Sequence, residues 1–156
     1  GWQLESGRYA LTTVKNATSG NGNIAVNPTV VTGDYTLSAD ALVTGTSNAF
    51  DDFSVIFGYV DANNYYYASF NESNDDGTNG IFKVSKGTMT QLKDFTAVIK
   101  PNTSYKIQVV KSGNTYTVSR DGAMVGSVTD TAYASGKVGV GSRNNAVSFD
   151  NLTVVR

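Results

Sequence analysis

The chain has 156 residues, the size of one ordinary domain, and a formal net charge of -1, so no overall field steers it onto nucleic acid or an anionic membrane. It contains neither cysteine nor histidine, which excludes disulfides, thiolate catalysis and zinc-finger chemistry. Apolar residues make up 40% and charged residues only 16%; the balance is Gly, Ser, Thr and Asn, a mixture that suits short strands and tight turns.

The chain opens on Gly1-Trp2-Gln3 without an initiator Met, and the expectation is a mature piece or a domain of a longer secreted protein. No apolar run approaches the ~18 residues of a membrane span. The first clear alternation runs from Asp34 to Thr44, around Tyr35, Leu37, Ala39 and Ala41. Phe53 to Val60 and Tyr65 to Phe70 follow, joined by Asp61-Ala62-Asn63-Asn64, and read as a β-hairpin. Gly80 to Ser85 and Met89 to Phe95 flank a Lys86-Gly87 turn. Tyr105 to Lys111 pairs with Thr115 to Arg120 across Ser112-Gly113-Asn114, and Asp121-Gly122 leads into Ala123 to Val128. Gly136 to Ser142 and Val147 to Val155 close the chain around Arg143-Asn144-Asn145. No segment sustains a 3.6-residue apolar repeat. About a dozen short strands at regular spacing predict one all-β domain over residues 1–156, an antiparallel β-sandwich or barrel.

Particular motifs sharpen this expectation. The run Phe50-Asp51-Asp52-Phe53-Ser54-Val55-Ile56-Phe57-Gly58-Tyr59, then Asp61-Ala62-Asn63-Asn64-Tyr65-Tyr66-Tyr67, resembles the laminin-G/concanavalin A-like jelly rolls found as carbohydrate-binding modules in bacterial polysaccharide-degrading enzymes. The Arg120-Asp121-Gly122 hairpin and the closing Gly139-Val140-Gly141-Ser142-Arg143 and Ser148-Phe149-Asp150-Asn151-Leu152 segments are similar too. The resemblance spans most of the chain and implies a jelly-roll fold, a sugar ligand and a secreted setting. It specifies ligand poorly, because the same sandwich also hosts lyases, glucanases and adhesion domains.

Hydrolytic glycosidases need two carboxyl groups across the scissile bond. Only Glu5 and Glu72 are glutamates, standing alone, and most of the aspartates fall at turns. A lyase needs a base beside a uronate; Tyr65, Tyr67, Arg143 and Lys83 supply residue types, but the His that jelly-roll lyases pair with Tyr is missing.

Sugar rings offer an apolar C–H face with a rim of hydroxyls, which calls for aromatic planes beside amides and charged donors. Tyr59, Asn64, Tyr65 and Tyr67 form the richest such concentration. Strand alternation puts Tyr65, Tyr67 and Ser69 on one face and the more apolar Tyr66, Ala68 and Phe70 on the other, toward the core. Tyr65 and Tyr67 are therefore expected on an open face. Arg143, Asn144 and Asn145 form a second cluster, the guanidinium fork suiting hydroxyls or a carboxylate. Lys83 would add positive charge. Trp2, the sole tryptophan, is either a stacking platform or a plug at one end of the sandwich.

The run Glu72-Ser73-Asn74-Asp75-Asp76-Gly77 half resembles a calcium loop, but Lys83 stands where an EF-hand closes with Glu. The family resemblance implies a different structural calcium site, with Asp150 as one ligand and Asp52, or its neighbour Asp51, as another. The leading expectation is a non-catalytic, monomeric module that targets an attached lyase or hydrolase domain to a polysaccharide, acidic or neutral. A small uronate lyase and an adhesion module that recognises protein remain open.

Overall fold

A computed structural model of the chain describes residues 1–15, 22–44 and 51–156. Among these residues there are thirteen strands and no helix. In chain order they are β1 (Trp2–Glu5), β2 (Arg8–Leu11), β3 (Asn23–Val26), β4 (Tyr35–Val43), β5 (Asp52–Asp61), β6 (Asn64–Asn71) and β7 (Gly80–Ser85). There follow β8 (Thr88–Asp94), β9 (Ser104–Ser112), β10 (Thr115–Arg120), β11 (Ala123–Thr129), β12 (Lys137–Ser142) and β13 (Val147–Val155). Two antiparallel sheets result, one in the order β1-β2-β13-β4-β9-β10-β11 and the other β3-β12-β5-β6-β7-β8. The expected jelly-roll sandwich is what forms.

Strands β4 to β13 fall where alternation placed them. Strands β1, β2 and β3 are four residues each, too short for a period of two to stand out. They exist because β2 finds β13 and β3 finds β12. Trp2 is half-buried and stacks on Tyr9 with ring centroids 5.1 Å apart, while leaning on Phe149. It plugs the sandwich and is not an open platform.

The hairpin turns follow local chemistry. Lys86-Gly87 and Asp121-Gly122 both have positive φ at each position, the backbone twist a two-residue hairpin requires. Between β5 and β6, Asp61 Oδ1 accepts from the Asn63 N–H (2.8 Å) and from Asn64 Nδ2 (2.9 Å), closing the turn from within.

The core lies between the sheets and obeys the period of two. Leu37, Ala39, Ala41 and Val43 of β4 face Phe53, Val55 and Phe57 of β5 and Tyr66, Ala68 and Phe70 of β6. Each of these residues is almost wholly buried. Alternation therefore sends Ile56, Tyr65, Tyr67, Phe82 and Val84 to the opposite, outer face of the six-stranded sheet, where they make a second, smaller cluster.

Candidate functional site

The outer cluster carries a row of aromatic rings. Tyr59 and Tyr65 lie 5.5 Å apart between centroids, Tyr65 and Tyr67 5.9 Å, and Tyr67 and Phe82 stack at 5.0 Å with only 12° between planes. Ile24, Tyr59 and Met89 pack against it as half-buried neighbours, and the Tyr67 hydroxyl donates to the Met89 sulfur.

Tyr59 reaches this face through a bulge. Counting from Phe57 on the core side, strict alternation would send Tyr59 inward as well. The register with β6 shifts between Phe57 and Asp61, and Gly58 adopts φ +56°. The extra step turns Tyr59 outward, onto Tyr65. Only glycine fits, since a Cβ at position 58 would meet Tyr66 Cδ2 at 2.9 Å.

The end of β12 is brought against this row by Asp52, the outward-facing residue at the start of β5. Asp52 is 3% exposed. Its Oδ2 accepts from the Arg143 N–H (2.8 Å), and its Oδ1 from Ser142 Oγ (3.2 Å) and the Asn144 N–H (3.3 Å). Burial pushes its carboxyl up to about 6, against the downward pull of those donors and the nearby Arg143 charge. The neighbouring Asp51 accepts from Asn145 Nδ2 at 2.6 Å, and its carboxyl is raised by burial and then by Glu72. Two consecutive aspartates thus hold the hairpin of Ser142 to Asn145 from beneath.

Arg143 is half-buried at the edge of the face. Burial raises the Tyr67 hydroxyl above its ordinary value, as does Tyr65; Arg143 pulls it down and Asp52 pushes it up, which puts all three within electrostatic reach. Among the described residues the Arg143 guanidinium makes no hydrogen bond or ion pair. Two other arginines have their donors spent. Arg8, in a recess of about 480 Å³ on the outer face of the seven-stranded sheet, donates to Ser148 Oγ (2.8 Å) and Asp40 O (3.1 Å). Arg120 lies 5.2 Å over the Tyr105 ring and donates to Val98 O.

The structure thus brings Arg143 of one sequence-named cluster within electrostatic reach of Tyr67 of the other. It also corrects five expectations. Tyr65 and Tyr67 occupy the predicted face, but each is only 4% exposed; with Ile56, Phe82 and Val84 packed around them they form a floor, and Tyr59 is the half-open ring.

Lys83 belongs to the other face. It lies between Phe82 and Val84, so alternation turns it inward, where Nζ bonds Asp130 Oδ2 at 2.7 Å. Asn64 stitches the turn, with Oδ1 accepting from the Lys86 N–H (3.1 Å) as well as from the Tyr133 hydroxyl. Asn145 is 1% exposed and hidden from any ligand of this face. Asp52 and Asp150 are not brought together: Asp150 sits on the other sheet, opposite Asp40 and 3.8 Å from Arg8. Among the described residues no three acidic side chains gather into a metal-binding group. Phe50, part of the motif read from the sequence, lies outside the described residues.

Sequence reasoning missed Asp51 and Asp52 as supports of the hairpin, and it missed Asn79. Asn79 is fully buried; its Nδ2 donates to Phe95 O (2.8 Å) and Ala97 O (3.0 Å), tying down the segment after β8. The partners of Asp51 and Asp52 lie some 90 residues away in the sequence, beyond the reach of any local pattern.

The whole chain aligns with the structure of the carbohydrate-binding module CBM66 from Bacillus subtilis, at a TM-score of 0.84 and 17% identity, covering 100% of this chain and 91% of that one. It is also similar to a Bacillus subtilis protein of unknown function with a galectin-like fold (TM-score 0.69, 10% identity, 99% and 86% covered). Sheep galectin-11, solved with glycerol, matches at a TM-score of 0.64 and 12% identity over 88% and 100% of the two chains. At these identities the shared property is the fold. No family model and no curated protein matches the chain.

Proposed function

We propose that this domain is a non-catalytic carbohydrate-binding module whose ligand lies across the outer face of the six-stranded sheet, over Tyr59 and beside Arg143. The observation that carries the reading is the half-buried Arg143 guanidinium, without a partner among the described residues, next to an aromatic floor. Tyr59 supplies a ring for the C–H face of a sugar, and Arg143 five donors in a fixed fork. That fork pairs best with a carboxylate, so the polymer is an acidic one of the alginate or pectin kind. The CBM66 module and galectin-like proteins share the architecture, which makes sugar binding a natural use of it. The chemistry for cleavage is thin, with no histidine and two glutamates in the sequence.

Such a module serves a catalytic domain of the same secreted chain, a lyase or hydrolase, by keeping it on its polymer; modest affinity suffices because tethering raises effective concentration. The test is affinity gel electrophoresis on alginate, pectate, xylan and levan, with wild type, Arg143→Ala and Tyr59→Ala. Retardation on the acidic polymers is expected, weakened about tenfold to a hundredfold by Arg143→Ala, the span of a hydrogen bond to a charged group. Retardation on neutral polymers alone would remove the acidic ligand, and migration unaffected by any polymer would remove the function. Unsaturated product absorbing in the ultraviolet would establish a lyase instead.

A further inference from the structure

Asn145 presents a different problem from its neighbours. Its side chain is buried, 1% exposed, and Nδ2 is committed to Asp51 Oδ1 at 2.6 Å, yet Oδ1 has no hydrogen-bond partner among the described residues. A buried acceptor left unpaired carries the full penalty of its desolvation. The same amide adjoins a carboxylate, Asp51, that is itself only 3% exposed. Glu72 comes next, its N–H donating to Asp51 O at 3.0 Å and its carboxylate within electrostatic reach of Asp51. The charges already assigned do not answer this cluster: Lys83 and Arg8 are paired with Asp130 and Asp150.

We propose that Asp51 and Asn145, with Glu72 beside them, form a site for a divalent, oxygen-coordinated cation of the calcium type. Calcium takes carboxylate and amide oxygens, in flexible geometry and with water completing the shell. It would satisfy Asn145 Oδ1 and neutralise two neighbouring acids in one step. Magnesium, which demands near-ideal octahedral geometry and sheds its water reluctantly, suits the cluster less well. This site is distinct from the Asp52–Asp150 pair that the family resemblance implied and that the fold keeps apart. The cation would lock the closing end of the hairpin that presents Arg143, whatever ligand that hairpin binds.

Thermal unfolding of chelator-stripped protein, with and without calcium or magnesium, reads the proposal without any glycan. At a hundredfold excess of calcium over its dissociation constant, linkage raises the midpoint by roughly 5–10 °C for a domain of this size. Magnesium gives a smaller rise. Asp51→Asn and Asn145→Ala are expected to abolish the calcium response, whereas Asp150→Asn keeps it. Should either of the first two fail to fold, Glu72→Gln carries the test with a reduced response. A midpoint indifferent to chelator and calcium overturns the proposal and leaves a bound water as the partner of Asn145. So does a full response in Asp51→Asn, Asn145→Ala or Glu72→Gln. A response lost in Asp150→Asn alone moves the ion to the other sheet and overturns it equally.

Discussion

Lys83→Met separates fold from ligand binding. The Lys83 ammonium is 2.7 Å from Asp130 Oδ2, and the side chains are 25% and 15% exposed. Asp130 also accepts from the Tyr66 hydroxyl and, at 3.0 Å, from the Ala132 N–H. Tyr66 in turn takes the Tyr133 N–H, so the ion pair anchors the segment that covers one end of the core. An exposed pair is worth about 0–1 kcal/mol and breaking a fully buried one costs about 3–5 kcal/mol. A pair this sheltered falls between, and Lys83→Met should cost about 2–3 kcal/mol at pH 7.

The loss should depend on pH in a defined direction. Burial raises the Asp130 carboxyl, but Lys83, Tyr66 and the Ala132 N–H outweigh it, and the net shift is downward. A carboxylate with a depressed folded value adds stability above its unfolded value, near 4, and loses it as pH falls through the folded one. Urea denaturation followed by circular dichroism should therefore show the widest gap between wild type and Lys83→Met at pH 5–8, closing toward pH 2. Polysaccharide retardation by the variant should equal that of wild type. An unchanged stability, or a gap as wide at pH 2 as at pH 7, would refute the electrostatic account. Weakened retardation in a fully stable variant would return Lys83 to the binding face.

Two further substitutions probe how the site is built. Gly58→Ala puts a Cβ 2.9 Å from Tyr66 Cδ2 at φ +56°; strain of about 1–2 kcal/mol from the left-handed backbone alone is expected, with polysaccharide affinity falling as Tyr59 is displaced. Chemical denaturation and affinity gels on one preparation check both effects. Asn79→Ala orphans the carbonyls of Phe95 and Ala97 and removes the acceptor of the Asn71 N–H. At about 1–3 kcal/mol for each group left unpaired, reduced where water enters, a loss of about 2–4 kcal/mol in urea unfolding is expected, with retention on polymer unchanged in the folded fraction.

The period of two was legible along most of the chain, and it set faces correctly wherever strands were regular. Tyr66, Ala68 and Phe70 face the core and Tyr65 and Tyr67 the other side, as their spacing demands. Lys83, expected to add positive charge to the tyrosine face, points to the other side, as the parity of Phe82 and Val84 on either side already announced. Exposure was not legible, since alternation distinguishes one face from the other without saying how closely neighbouring rings cover it.

Turn chemistry, and strand identity from β4 onward, were fixed by residues adjacent in the chain. Asp61 closing its own turn and Lys86-Gly87 taking positive φ are interactions over two or three residues, and the absence of His and Cys narrowed the chemistry before any fold was known. The site was decided by contacts of another range. Asp52 meets the Arg143 N–H across 91 positions, because the jelly-roll crossover lays β12 beside β5. Tyr59 faces outward because a bulge at Gly58 breaks the parity that the rest of β5 obeys. Alternation encodes which side of a strand a residue occupies, whereas the neighbours of that side come from strand pairing, which the whole core selects.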